Sequence, residues 1–201
     1  MRSPLSYAAV ALMAVLAGSA FAPGPDVRDA VRARIHDEYS ALRAIYEQLH
    51  SHPELSFMEV NSAALIAREL RALGLDVTEK VGRMGVVGVL RNGPGPTVLV
   101  RADMDGLPIK ENTGVSYAST DMVKDQEGKD QPAMHGCAHD THVTGLIGTA
   151  RVIASLKDKW SGTLVFIAQP AEERVEGARA MLADGLYTRF PKPDFAIALH
   201  T

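Results

Sequence analysis

Apolar residues recur at helical spacing between Asp26 and Gln48. Val27, Val31, Ile35, Leu42 and Ile45 fall near one face, with Leu49 just beyond. The stretch Ser51-His-Pro-Glu-Leu55 ends this helix, because Pro53 has no amide donor and disfavours helix in the residue before it. A second helix is predicted from about Met58 to Leu73, burying Ala63, Ile66, Ala67, Leu70 and Leu73, with Gly74 as its C-terminal cap. The pattern then shortens. Val86–Leu90 and Thr97–Val100 are apolar, β-branched runs that predict two strands, joined by the turn Asn92-Gly-Pro-Gly-Pro96.

Residues 110–134 are polar and carry Asp121-Met-Val-Lys-Asp-Gln-Glu-Gly-Lys-Asp130, a length of loop that is usually functional or mobile. Val143, Leu146, Ile147, Ala150 and Ala154 mark a third helix, for which Asp140 or Thr141 is the predicted cap. Thr163–Ala168 is continuously apolar, as expected of a central strand covered on both faces. A helix over residues 175–184 ends at Gly185, and Phe195–Leu199 forms the last strand. Strands alternating with helices predict an α/β layered domain, and no internal repeat is found.

Composition adds bounds. The 201 residues are 46% hydrophobic and 22% charged, sufficient for one buried core, and a net charge of −3 gives no electrostatic reason to expect a nucleic-acid partner. At the N-terminus, Arg2, the apolar run Tyr7–Leu16 and Ala20-Phe21-Ala22 form the pattern of a secretory signal with cleavage near Ala22, so a periplasmic or secreted protein is expected. The alternative is an uncleaved anchor, for which the run is short. Cys137 is the one cysteine, so no internal disulfide is possible. It is either a small buried hydrophobe or a metal ligand, and the flanking histidines favour ligation.

The candidate chemistry gathers at predicted strand ends. Asp103 and Asp105 follow the second strand, Glu172 and Glu173 follow strand 163–168, and His200 follows the last. Met134-His-Gly-Cys-Ala-His-Asp-Thr-His142 precedes the third helix. Sites in α/β sheets form at the carboxyl ends of strands, so these segments are expected to converge, and thiolate, imidazole and carboxylate together suit a transition metal. Each piece has a plainer alternative. The aspartates are also turn residues, the glutamates also suit a helix N-terminus, His142 also fits a core position, and a structural role is favoured for His50 and His52.

In order along the chain, Arg101-Ala-Asp-Met-Asp-Gly-Leu-Pro-Ile109, Met134–His142, Gln169-Pro-Ala-Glu-Glu173, Gly177-Ala-Arg-Ala-Met181 and Ala198-Leu-His200 resemble the signatures of the metal-dependent amidohydrolases. That family includes hippurate hydrolase, N-acyl-amino-acid hydrolases and auxin-conjugate hydrolases, and is related to aminoacylase and carboxypeptidase G. His50-Ser-His-Pro-Glu-Leu55 resembles its N-terminal signature. The resemblance implies a zinc-peptidase-like catalytic domain, a mixed sheet flanked by helices, of which residues 23–201 would be the N-terminal part. It implies Cys137, His139, Glu173 and His200 as ligands of one or two divalent ions, zinc or manganese. Glu172 would be the general base and Asp105 a carboxylate orienting a ligand, with Asp103 and His142 as weaker candidates.

The implied substrate is an N-acyl amino acid or a peptide-like amide. A metallo-carboxypeptidase or dipeptidase is the nearest rival, and a catalytically silent metal-binding or assembly protein the rival of another class. Two positions depart from the family pattern: Ala138 stands where glycine is usual, and the segment between Tyr117 and Met134 is longer and more charged, read as a solvated insertion. The family's lid or dimerisation domain and its last ligand histidine would follow Thr201. The expectation is therefore a truncated product with an incomplete metal site and exposed apolar sheet surface, homodimeric only at full length.

Overall fold

The computed structural model describes residues 25–201, so the signal-peptide reading of residues 1–22 lies outside the described residues. Helix α1 (Pro25–Ser51) starts on a proline, whose missing amide costs nothing in a first turn, and on Asp26, which suits the helix dipole. It runs beyond the predicted Gln48 because the restriction imposed by Pro53 falls on His52, and Ser51 Oγ donates back to the Glu47 carbonyl. Only its C-terminal part is core: Ile45 and Leu49 are buried, whereas Ile35 is exposed. Helix α2 (Val60–Ala72) begins after Phe57, which adopts φ 62°. Its first amides, from Asn61 and Ser62, donate to the Glu54 carboxylate. Gly74, at φ 80°, closes the helix as predicted, although Leu73 is only partly buried.

Strands β1 (Asp76–Val81), β2 (Gly85–Asn92), β3 (Thr97–Asp103), β6 (Gly162–Gln169) and β7 (Phe195–Ala198) form a sheet in the order β1-β2-β6-β3-β7. Strand β6 pairs antiparallel with β2 and parallel with β3, and β3 pairs parallel with β7, so the sheet is mixed. The consecutive strands β2 and β3 are thus not neighbours; β6 lies between them. Strand β1 is absent from the sequence reading because its charged residues mask the apolar alternation, as befits an edge.

The run in β6 divides by parity. Leu164, Phe166 and Ala168 face the core under the helices with Ile66, Leu70 and Ile147, while Val165 and Ile167 face Met181 and Leu186 on the other side. Helix α3 (His139–Ser155) packs against α1 and β3, and α4 (Gly177–Ala183) and α5 (Leu186–Arg189) cover the second face. Gly185, at φ 85°, ends α4 as predicted and separates it from α5, while the helix starts at Gly177 rather than 175, where Val175 at φ 56° is not helical.

Two expectations are corrected. Helix α3 starts at His139, four residues before Val143, and neither Asp140 nor Thr141 caps it; both lie in its first turn, and the N-cap is Ala138 in the left-handed region. The polar stretch 110–134 is not wholly irregular. It holds a hairpin of β4 (Met122–Lys124) and β5 (Asp130–Pro132), whose turn is closed by Asp125 accepting the amides of Glu127 and Lys129. Strands this short and polar leave no periodic signal. No helix among the described residues is long and apolar enough to cross a membrane. The parallel strands β3, β6 and β7 end on one edge of the sheet, where α3 begins.

Candidate metal centre

Four segments deliver side chains to that edge. Asp103 ends β3, Glu172 and Glu173 occupy the turn after β6, and His200 follows β7. His139 and His142, three residues apart in the first turn of α3, share one helix face, with Cys137 just before them. Asp103, His139, His142 and His200 bring one ligand atom each within 4.8 Å of one another, and so do Cys137, His139 and Glu173. The three imidazoles form a triangle with centroid separations of 4.9–5.4 Å.

The distances have the scale of a shared ion. His139 Nε2 lies 3.7 Å from Asp103 Oδ2, 3.6 Å from Glu172 Oε2 and 3.8 Å from Glu173 Oε1, and His200 Nε2 lies 3.3 Å from Asp103 Oδ2. None of these pairs makes a hydrogen bond. Two donors about 2.1 Å from one ion at a tetrahedral angle stand roughly 3.4 Å apart. Asp103 Oδ2, His139 Nε2, His142 Nε2 and Glu173 Oε1 are all buried without a hydrogen-bond partner, and such atoms require an account. Arg101 Nη1 is 2.8 Å from Asp103 Oδ2, but its approach is off the hydrogen-bonding direction.

The surroundings fix the rings. His139 Nδ1 donates to the Asp105 carbonyl at 2.7 Å and His142 Nδ1 to Asp103 Oδ1 at 2.6 Å. A backbone carbonyl and a carboxylate oxygen accept, so each ring donates from Nδ1 and turns its Nε2 into the cluster. His139 has only that nitrogen free and completes just one of the two donor sets at a time. The Asp105 carboxylate accepts the amides of Glu172 and Glu173 at 3.0 and 3.1 Å and the Ser56 hydroxyl at 2.6 Å, so it holds the turn that carries both glutamates.

The field at this edge is negative. Burial pulls the His139 pKa down, but Asp105 and Asp103 outweigh it and the net shift is upward. Burial raises Asp105 while His139, Ser56 and the two amides lower it further, so it stays ionised. The Glu173 carboxylate beside the Cys137 thiol, together with burial, pushes its pKa up to about 11; a bound cation would reverse that preference. A set of nitrogen, oxygen and sulfur donors with orphaned lone pairs in a negative field fits a divalent cation.

Asp105, Cys137, His139, Glu172, Glu173 and His200 all reach this edge, and the weaker candidates Asp103 and His142 belong to the larger donor set. His135, the third histidine of its motif, does not. It is buried with both ring nitrogens unpartnered, and burial lowers its pKa to about 4. His52 pairs with Asp121 at 2.9 Å near the surface. Three contributors were missed. Arg101 shares a strand face with Asp103, an alternation the sequence did offer. Ser56 lies in an irregular segment and Glu59 just ahead of α2, inside the helix predicted from Met58, yet Glu59 Oε1 accepts the Ala171 amide at 2.7 Å, next to the glutamates. Beside Glu173, a cavity of about 240 Å³ is lined by Leu55, Leu107, Pro108 and the hairpin residues Gln126 and Gln131, so the insertion is not wholly solvated.

Residues 99–201 match the model of peptidase family M20/M25/M40. The chain belongs to this family. Hippurate hydrolase from Campylobacter jejuni is 39% identical over 167 residues, covering 83% of this chain and 40% of its own length. Thermostable carboxypeptidase 1 from Saccharolobus solfataricus is 41% identical over 160 residues, covering 78% and 38%. Among solved structures, the Bacillus subtilis YXEP protein, a dinuclear metal binding peptidase from this family, superposes with a TM-score of 0.72 at 32% identity, covering 83% of this chain and 44% of that one. The chain spans about two fifths of the length of these relatives.

Proposed function

We propose that the protein is a metal-dependent amidohydrolase cleaving the amide bond of an N-acyl amino acid or a related conjugate. The observation that carries this reading is the convergence of four buried, unpartnered donor atoms with the carboxylate of Glu172 at their rim. Cys137, His139, Glu173 and His200 would hold the metal, with Asp103 and His142 completing or orienting the set. The kinship with a hippurate hydrolase and a carboxypeptidase supports linear amides as the substrate class.

A divalent cation in this site supplies Lewis acidity that lowers the pKa of a water and polarises an amide carbonyl. Glu172, with its side chain 31% exposed, is the acidic group best placed to accept the proton of an attacking water and return it to the leaving amine. Asp105 orients His139 and fixes the amides of Glu172 and Glu173, so the two glutamates keep separate tasks. Zinc and manganese are the proposed metals. Export with cleavage near Ala22 is proposed from the N-terminal pattern alone, and N-terminal sequencing of the mature protein tests it.

The test is turnover of hippurate against a dipeptide by the zinc- or manganese-loaded protein, with Glu172→Gln as control. Release of benzoate, lost in Glu172→Gln while metal content is retained, is the expected result. Preference for the dipeptide would assign a peptidase, and metal binding without turnover in either protein would assign a silent metal-binding chain.

A further inference from the structure

One buried titratable cluster lies outside the donor sets. His50, near the end of α1, is 7% exposed and bridges two carboxylates of comparable burial. Its Nδ1 meets Asp140 Oδ2 at 2.6 Å and its Nε2 meets Glu111 Oε1 at 3.0 Å. Neither acceptor is otherwise idle. Asp140 Oδ1 accepts the Thr141 amide at 2.7 Å, and Glu111 accepts the Ser119 amide at 2.6 Å and the Thr113 hydroxyl. Tyr46 and Tyr117 pack on the imidazole with centroids 5.6 and 5.2 Å away. Burial alone would lower the pKa of His50, but Glu111 and Asp140 raise it, in keeping with a ring that donates from both nitrogens.

Asp140 directly follows His139, and the turn before it is unusual. Ala138, between Cys137 and His139, sits at φ 56° and ψ 29°, a left-handed conformation that an L residue with a Cβ disfavours. Such a conformation persists only where the surroundings over-determine it. Here the turn is pinned on one side by the His139 ring on the Asp105 carbonyl and on the other by Asp140 on His50. The first pin belongs to a ligand itself. The second reaches in from α1.

We infer that His50 is a positioning residue: through Asp140 it holds the Cys137–His139 turn in its left-handed form and so sets the geometry of the thiolate and imidazole donors. The inference rests on the metal reading above. It separates His50 from a mere core brace because only the Asp140 contact, not the Glu111 contact, should matter to the metal.

The isosteric amides divide the two contacts. In His50→Asn the amide nitrogen takes the place of Nδ1 and keeps Asp140; in His50→Gln it takes the place of Nε2 and keeps only Glu111. The full chain is freed of metal and titrated with cobalt(II), following affinity and the thiolate-to-cobalt absorption band, with circular dichroism reporting the fold. His50→Asn and Glu111→Gln should bind within about threefold of the parent with its band. His50→Gln should bind at least about tenfold more weakly with a diminished band, the size of effect seen when a group orienting a ligand is lost. Should His50→Gln fail to fold, Asp140→Ala cuts the same contact from the other side and the same loss is expected. Parent-like binding by the folded variants overturns the inference. A parent that binds no cobalt overturns the metal reading and this inference with it.

Discussion

His142 gives its Nδ1 proton to Asp103 Oδ1 over 2.6 Å, while Oδ2 of the same carboxylate faces His139 and His200. One aspartate therefore both aims a histidine and offers an oxygen to the cluster. Asp103→Ala should lower zinc affinity by about 10–100-fold, and Asp103→Asn, which keeps an acceptor for His142, by less. Competition against a chromophoric chelator measures both. Equal affinities in all three proteins would remove Asp103 from the site.

Ala138 at φ 56° holds a conformation that glycine adopts without a steric penalty. Ala138→Gly should stabilise the metal-free protein by about 0.5–1 kcal/mol, the steric relief being offset in part by the greater freedom of glycine in the unfolded chain. The reading is the urea midpoint at unchanged slope. A lower midpoint would show that alanine fits the turn.

Glu59 is fully buried with Oε2 unpartnered, and burial raises its pKa from 4.5 to about 7. The fold thus favours its protonated form. That contribution is complete below about pH 4.5 and is lost as pH rises through about 7, a swing on the order of 3 kcal/mol at most. Glu59→Gln should flatten the fall in metal-free stability between pH 5 and 7 and leave the variant more stable than the parent at pH 8. Parallel pH profiles would contradict the assignment.

Arg151 of α3 reaches Glu38 of α1 at 2.7 Å and Glu69 of α2 at 2.5 Å, with all three side chains about 15% exposed. Arg151→Ala removes the charge that ties the three helices and leaves Glu38 to Arg34 and Glu69 to Arg68 alone. A loss of roughly 2–3 kcal/mol is expected in chemical denaturation, with zinc stoichiometry unchanged. Loss of zinc from a folded variant would mean that this tie reaches the site.

Local pattern carried much of the result. The apolar run of β6 announced a central strand because covering both faces leaves no polar position, and its two parities do face two cores. The ligand types at strand ends pointed to one edge, and the structure brings those residues together there. The polar hairpin Met122–Pro132 and the edge strand Asp76–Val81 gave no such signal, since neither buries a periodic face.

The sequence by itself determined the elements that bury a periodic face and the segments whose side chains suit a metal, because burial periodicity and ligand chemistry are properties of single segments. Only the tertiary structure decided the order of the strands, which placed β6 between β2 and β3 and brought three strand ends to one edge. It also decided the partners of each charge: Asp103 with His142, Asp105 with the glutamate amides, and His50 between Asp140 and Glu111. Those pairings join residues distant along the chain, and no local rule specifies which buried donor will meet which acceptor.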